Sequence, residues 1–175
     1  VLNIQFVLLG TGDQHYHNTF SRFMQCYPNK VAVFLTFNAA LAQKIYGGSD
    51  MFLMPSRFEP CGLGQLISLR YGSIPIVRST GGLADTIKDF DPRTGEGNGF
   101  AFERYHPMAL FACIVRAQEN YRYASTWRKL QERGMQADYS WTTSAKKYLD
   151  LYQKAREFHR QEVGSVAVAQ PVTES

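Results

Sequence analysis

The stretch of this chain with the most chemistry is Pro55-Ser56-Arg57-Phe58-Glu59-Pro60-Cys61-Gly62-Leu63-Gly64-Gln65. It sets one carboxylate in a proline-restrained loop, three residues ahead of Gly62. Gly62 and Gly64 then open a helix, where main-chain amides can meet an anion with no Cβ in the way. A diphosphate at such a start gains N–H donors and the positive end of the helix dipole. Glu59 beside it would accept hydrogen bonds from sugar hydroxyls. On spacing alone a plainer alternative stands equally: Glu59 caps the helix and the glycines only turn the chain. Arg78-Ser79-Thr80-Gly81-Gly82-Leu83-Ala84-Asp85 repeats the plan one strand later. Alone, a Gly-Gly pair after a strand reads as a turn; two such loops on adjacent crossovers point to a ligand edge.

The elements that must position these loops follow from periodicity. Leu2 to Leu9 is a short apolar strand run, closed by Gly10-Thr11-Gly12 with Asp13 placed to cap the next helix. Phe20, Phe23, Met24 and Tyr27 give that helix one apolar face, and Pro28-Asn29 stops it. Val31 to Leu35 is a second strand. Asn38 caps a helix that Gly47-Gly48 ends. Asp50 to Met54 is a third strand, Gly62 to Tyr71 a helix, and Ile74 to Val77 a fourth strand. This alternation predicts an α/β fold, a doubly wound parallel sheet covered by helices. Ligands of such sheets bind outside the carboxyl ends of the strands. The loops there are Gly10 to Asp13, Thr36 to Asn38, Pro55 to Leu63 and Arg78 to Leu83.

The second half begins with a turn-rich loop, Asp91 to Gly99. Two or three helices then close the domain. One carries Leu110, Cys113, Ile114, Ala117 and Tyr121 on a face. Another, capped by Ser140, carries Trp141, Ala145, Tyr148, Leu149 and Tyr152, with Trp141 and Tyr148 expected in the core. Residues 1–160 thus read as one domain, and 161–175 as an aperiodic, disordered tail.

Composition removes several classes of function. The chain has 175 residues, 45% hydrophobic and 19% charged, which suits one globular domain with a real core. A net charge of +4 is too mild and scattered to imply nucleic acid. Neither a membrane span nor a signal peptide is visible. Cys26, Cys61 and Cys113 lack metal-like spacing and suit free thiols in a reducing cytosol. His15, His17, His106 and His159 form no dyad with Cys61, which argues against a cysteine nucleophile. His15 and His17 read as the exposed side of a helix rather than metal ligands. Arg122, Arg128, Lys129 and Arg133 near Tyr121, Tyr123 and Trp127 read as a solvated face ahead of an oligosaccharide platform.

The run Ser56 to Leu63 followed by Arg78 to Thr86 closely resembles the signature of bacterial glycogen synthases and plant starch synthases. Leu9 to Asp13 and Tyr139-Ser140-Trp141 resemble the same family, in order, over about Val1 to Phe158. The Glu-Pro-Cys-Gly-Leu form separates this family from other two-domain retaining glycosyltransferases. Ile67 stands where many of those relatives carry a second Glu.

The resemblance implies the donor half of a GT-B enzyme, with a Rossmann-like fold lacking its first strand and helix. It implies transfer of glucose from ADP-glucose to the non-reducing end of an α-1,4-glucan, with retention, no cofactor and no required metal. By motif, Glu59 contacts the sugar near the reacting carbon, and Cys61 and Gly62 line the same pocket. Leu63 and Gly64 offer amides to the diphosphate, Gly81 and Gly82 face sugar and phosphates, and Gly10 and Gly12 border the nucleoside. Phe37 takes the place of an aromatic, usually Tyr, that stacks on adenine. The family's diphosphate-binding Arg and Lys, and its acceptor-side N-terminal domain, have no counterpart here. The isolated chain is therefore expected to be inactive. Nucleic acid and membrane are not expected partners, and the cytoplasm, or the plastid stroma in a plant, is the expected location. Two alternatives remain: a relative using another nucleotide sugar, or a non-catalytic nucleotide- or glucan-binding module.

Overall fold

The computed structural model describes residues 2–168. The described residues divide into two units, with the boundary between Ala137 and Asp138. The first unit alternates strand and helix: β1 (Phe6–Leu9), α1 (Gln14–Cys26), β2 (Val31–Phe34), α2 (Ala39–Gly48), β3 (Met51–Met54), α3 (Gly64–Arg70), β4 (Ile74–Arg78), α4 (Gly81–Thr86) and β5 (Phe100–Phe102). Helices α5 (Pro107–Tyr121) and α6 (Ala124–Gln136) follow. Local chemistry sets the boundaries where expected. Asp13 accepts from the His15 amide at 2.7 Å and Asn38 from the Leu41 amide at 2.9 Å, each satisfying a donor of the first helical turn.

All strand pairs are parallel, but they form two ladders rather than one sheet: β1–β2, and β3–β4–β5. In the doubly wound order 3-2-1-4-5-6 the second and fourth strands flank the first and never pair. Two ladders follow when β1 holds the second place, as the resemblance implies.

Strand β4 is the middle of its sheet and is covered on both faces. Ile74 and Ile76 join one core with Phe90, Phe100, Phe102, Cys113, Ala117, Trp127 and Leu130. Val77 points the other way, to Leu69, Leu83 and Ile87. That split is the period-two alternation of a strand. Pro75 lies inside this central strand without breaking it. Ile74 donates its N–H to Asp50 on the β3 side, and the ladder to β5 begins only at Ile76. The missing proline N–H therefore falls on the β5 side, ahead of the first rung.

The sequence reading has no strand at β5. Its three residues are too few to show a period, and tertiary packing defines them: Phe100 lies between Phe90 and Trp127, at ring separations of 5.9 and 6.2 Å. Trp127 is buried core rather than part of a surface. The basic side chains around it are a solvated face, with Arg122 paired to Glu119 at 3.2 Å and Arg133 donating to the Gly97 carbonyl.

The second unit is built on α7 (Trp141–Val168), whose first turn is served by Ser140 and Asp138. Two expectations change here. Trp141 and Tyr148 are exposed, Trp141 by 83%. Burial depends on what covers a helix's apolar stripe, so helical spacing alone does not make them core. The helix also continues through Val168, into the stretch read as an aperiodic tail. A single Gly164 lowers helix stability by only about 1 kcal/mol, which does not force a stop. The rest of that tail, 169–175, lies outside the described residues.

Candidate active site

The four loops singled out by sequence leave the carboxyl ends of β1, β2, β3 and β4. The structure draws their residues into two groups. The first surrounds Gly10 and Gly12. A hollow of about 260 Å³ there is lined by the β1 end, Thr11, Tyr16, His17, Phe20 and Leu35. An added Cβ on Gly10 or Gly12 would meet nothing within 4 Å, so both glycines leave open space. His17 is not simply on the solvent side of α1. It is half-buried, and its Nε2 accepts the Gly12 amide at 3.0 Å. Helical spacing showed where His17 starts but not that its ring folds back over the helix N-terminus. Beyond β2, the Phe37 ring is 89% exposed and fills no core.

The second group is built around Glu59. Its loop is fastened by main-chain atoms. Gly82 N–H donates to the Glu59 and Pro60 carbonyls, both at 3.1 Å. The Arg78 guanidinium donates to Ser56 O at 2.8 Å, to Glu103 O at 3.3 Å and to Arg57 O. Arg78 thus staples the loop to the end of β5, with its guanidinium over the Tyr105 ring. Gly81 (φ +46°) and Gly82 are required by this closeness. A Cβ on Gly81 would overlap the Glu59 carbonyl, and one on Gly82 the Cys61 carbonyl. Gly82 is buried with its N–H committed, so it holds the loop, while Gly81 stays exposed. Gly62 turns the chain at φ +71°, and Gly64 lies against the Phe52 ring and Tyr46 hydroxyl.

Within this frame the Glu59 side chain is half-buried and makes no hydrogen bond or ion pair among the described residues. The plainer reading, Glu59 as a helix cap, is therefore not realised. Helix α3 starts at Leu63 with no side-chain cap, so its first-turn amides are not answered by the cap residue. Leu63 and Cys61 are exposed beside it, and Cys61 is a free thiol. A carboxylate without a partner, in a rigid loop next to an uncapped helix start, can accept hydroxyl donors from a ligand whose anionic part meets the amides. Sequence reasoning missed two supports of this arrangement, Arg78 and Gln65. Both act on carbonyls of residues distant in sequence or hidden in a turn, and no spacing rule signals such contacts. Among the described residues no three His, Cys, Asp or Glu side chains converge to hold a metal ion. No helix there is long and apolar enough to cross a membrane.

The family profile described as "Glycosyl transferases group 1" matches residues 1–134. The chain belongs to that family of glycosyltransferases. Its relatives within the family include glycogen synthases. It is 54% identical over 156 residues to the glycogen synthase of Fervidobacterium nodosum, covering 89% of this chain and 32% of that protein. It is 55% identical over 159 residues to the glycogen synthase of Moorella thermoacetica, covering 90% of this chain and 33% of that protein. The catalytic domain of starch synthase IV from Arabidopsis thaliana, solved with ADP and acarbose, superposes with a TM-score of 0.77 at 39% identity. That match covers 86% of this chain and 32% of the plant domain. Sucrose-phosphate synthase from Thermosynechococcus elongatus shares the fold, with a TM-score of 0.61 at 21% identity over 87% of this chain and 38% of that one. The chain spans about a third of the length of the glycogen synthases it matches.

Proposed function

We propose that this chain is the donor-binding part of a glycogen or starch synthase, which moves glucose from ADP-glucose to the non-reducing end of an α-1,4-glucan with retention. The observation that carries the reading is the Glu59 loop: a carboxylate with no protein partner, fixed through its own backbone, beside the uncapped start of α3. Similarity to glycogen synthases, and to a starch synthase solved with ADP and acarbose, supports the choice of donor and acceptor. The reaction asks two things of this half of the site. The glucosyl carbon must be held in line for attack, and the negative charge growing on the departing ADP must be stabilised. Glu59 would accept from the glucose hydroxyls and orient the ring. The amides of Leu63 and Gly64 would meet the diphosphate. Phe37 would stack on adenine, with Gly10 and Gly12 admitting the nucleoside. Acceptor recognition, and a cationic Arg and Lys for the diphosphate, would come from the N-terminal domain and other parts of the full-length protein. The 175 residues alone are then expected to show no transfer. The protein would work in the cytoplasm, or in the plastid stroma of a plant, where its donor is made.

The test is transfer from labelled ADP-glucose and UDP-glucose to glycogen by the full-length protein. Transfer is expected with ADP-glucose preferred. Glu59→Gln is expected to lower turnover about 30- to 1000-fold, the loss of roughly 2–4 kcal/mol of transition-state stabilisation, while ADP affinity changes far less. A Glu59→Gln enzyme with near wild-type turnover would remove Glu59 from this role.

A further inference from the structure

One buried amide ties together the two loops that flank Glu59. Gln65, on the first turn of α3, has 0% exposure. Its Nε2 lies within hydrogen-bonding distance of the Gly62 carbonyl at 2.9 Å, the Cys61 carbonyl at 3.2 Å and Thr86 Oγ1 at 3.2 Å, and its two hydrogens are shared among these three acceptors. Thr86 Oγ1 in turn donates to the Gly82 carbonyl at 2.6 Å. Gly82 N–H closes the circuit on the Glu59 carbonyl. The path runs Glu59, Gly82, Thr86, Gln65, Gly62, and returns along the loop to Glu59.

Packing does not account for a glutamine here. A buried primary amide is unfavourable unless its polar atoms are bonded, and an apolar side chain of like volume avoids that penalty. Gln65 is only partly compensated, because its Oε1 is buried without a partner. What the amide supplies, and methionine or leucine cannot, is donors aimed at two consecutive carbonyls of a turn. The first of these belongs to Cys61, the second to Gly62 in its left-handed conformation. Thr86 adds the cross-link, accepting from one loop and donating to the other.

We infer that Gln65, acting through Thr86, is a positioning residue: it sets the place of Glu59 by locking loop 59–62 to the Gly81-Gly82 turn. The inference rests on the reading of Glu59 as the group that orients the donor sugar. Displacement of a reacting group by about 1 Å can lower a rate some 100-fold, so a small slackening of this circuit is enough to be read in turnover.

The experiment compares Thr86→Val, Thr86→Ser and Gln65→Met with wild type in the full-length protein. Thr86→Val keeps shape and removes only the hydroxyl, so it carries the test if Gln65→Met does not fold. Without ligand, amide hydrogen exchange in residues 58–64 should rise about tenfold or more in Thr86→Val and Gln65→Met. Turnover should fall roughly 10- to 100-fold with the KM for donor held within about threefold. Thr86→Ser should restore both. Unchanged exchange, unchanged turnover or absence of rescue by serine, against an active wild type, overturns the inference. Failure of the underlying site reading shows elsewhere, as a Glu59→Gln enzyme with near wild-type turnover or a wild-type protein that transfers no sugar from any nucleotide donor.

Discussion

The β1–α1–β2 segment and the segment from β3 to β5 are built on the same alternation of parallel strand and helix, yet they bury very different amounts. In the first, Val31 is the one residue among 6–34 that is buried, and α1 has none. Val7, Phe23, Tyr27 and Phe34 are all exposed. In the second, β4 is enclosed on both faces, and α3, α4, α5 and α6 each contribute to the core. The difference lies in neighbours rather than in propensity. A strand with a partner on each side and helices on both faces loses its water; a two-stranded ladder with one helix keeps much of it. The Glu59 loop and its clamps hang on the enclosed segment, as a site that must hold geometry requires. The hollow at Gly10 and Gly12 and the exposed Phe37 hang on the open one, where a nucleoside would find room.

That contrast can be broken most directly in the core. Phe100→Ala should destabilise the β3–β5 segment by about 3–5 kcal/mol, since Phe100 is fully buried between Phe90 and Trp127. Phe20→Ala, on half-buried α1, should have an effect nearer 1 kcal/mol. Hydrogen exchange at β4 and β1 amides in this 175-residue chain reads the two separately, and equal effects would end the comparison.

A smaller effect should appear in binding alone. Phe37→Ala is expected to leave stability unchanged, because the ring is exposed, and to weaken ADP by about 1–3 kcal/mol through lost stacking on the base. Calorimetry with ADP checks it; unchanged affinity would place the nucleobase elsewhere.

The smallest effect belongs to an exposed corner of the enclosed segment, the loop before β5. There the hydrogen bond from the Arg93 side chain, aided by its charge, lowers the Asp91 carboxyl to about 2. A folded value below the ordinary 3.8 means that this pair's contribution is present above pH 3.8 and is lost as pH falls toward 2. Carboxyl NMR should find Asp91 titrating near 2 in the native protein and nearer 3.8 in Arg93→Ala. The pair is solvent-exposed, so the thermal midpoint at neutral pH should barely move.

Four strands, their helices and the caps at Asp13 and Asn38 were legible in the sequence, because apolar period and capping chemistry are local. So were the loops of the candidate site, because glycine and proline mark where the chain turns and Glu59 lies between them. The division into two ladders was not local, since a strand's sequence does not say which strand lies beside it. Strand β5 was settled only when Phe100 and Phe102 met helices α5 and α6. That Gly81 and Gly82 leave no room for a Cβ emerged only from the backbone of Glu59 and Cys61 lying where it would be. Trp141 shows the same limit from the other side: helical spacing gave it an apolar face, and burial depends on what covers that face. Sequence determined which residues could do chemistry and the elements that carry them; only the tertiary structure decided which were brought together, because hydrogen bonds such as those from Gln65 to Thr86 and from Arg78 to Ser56 and Glu103 join atoms that only packing makes neighbours.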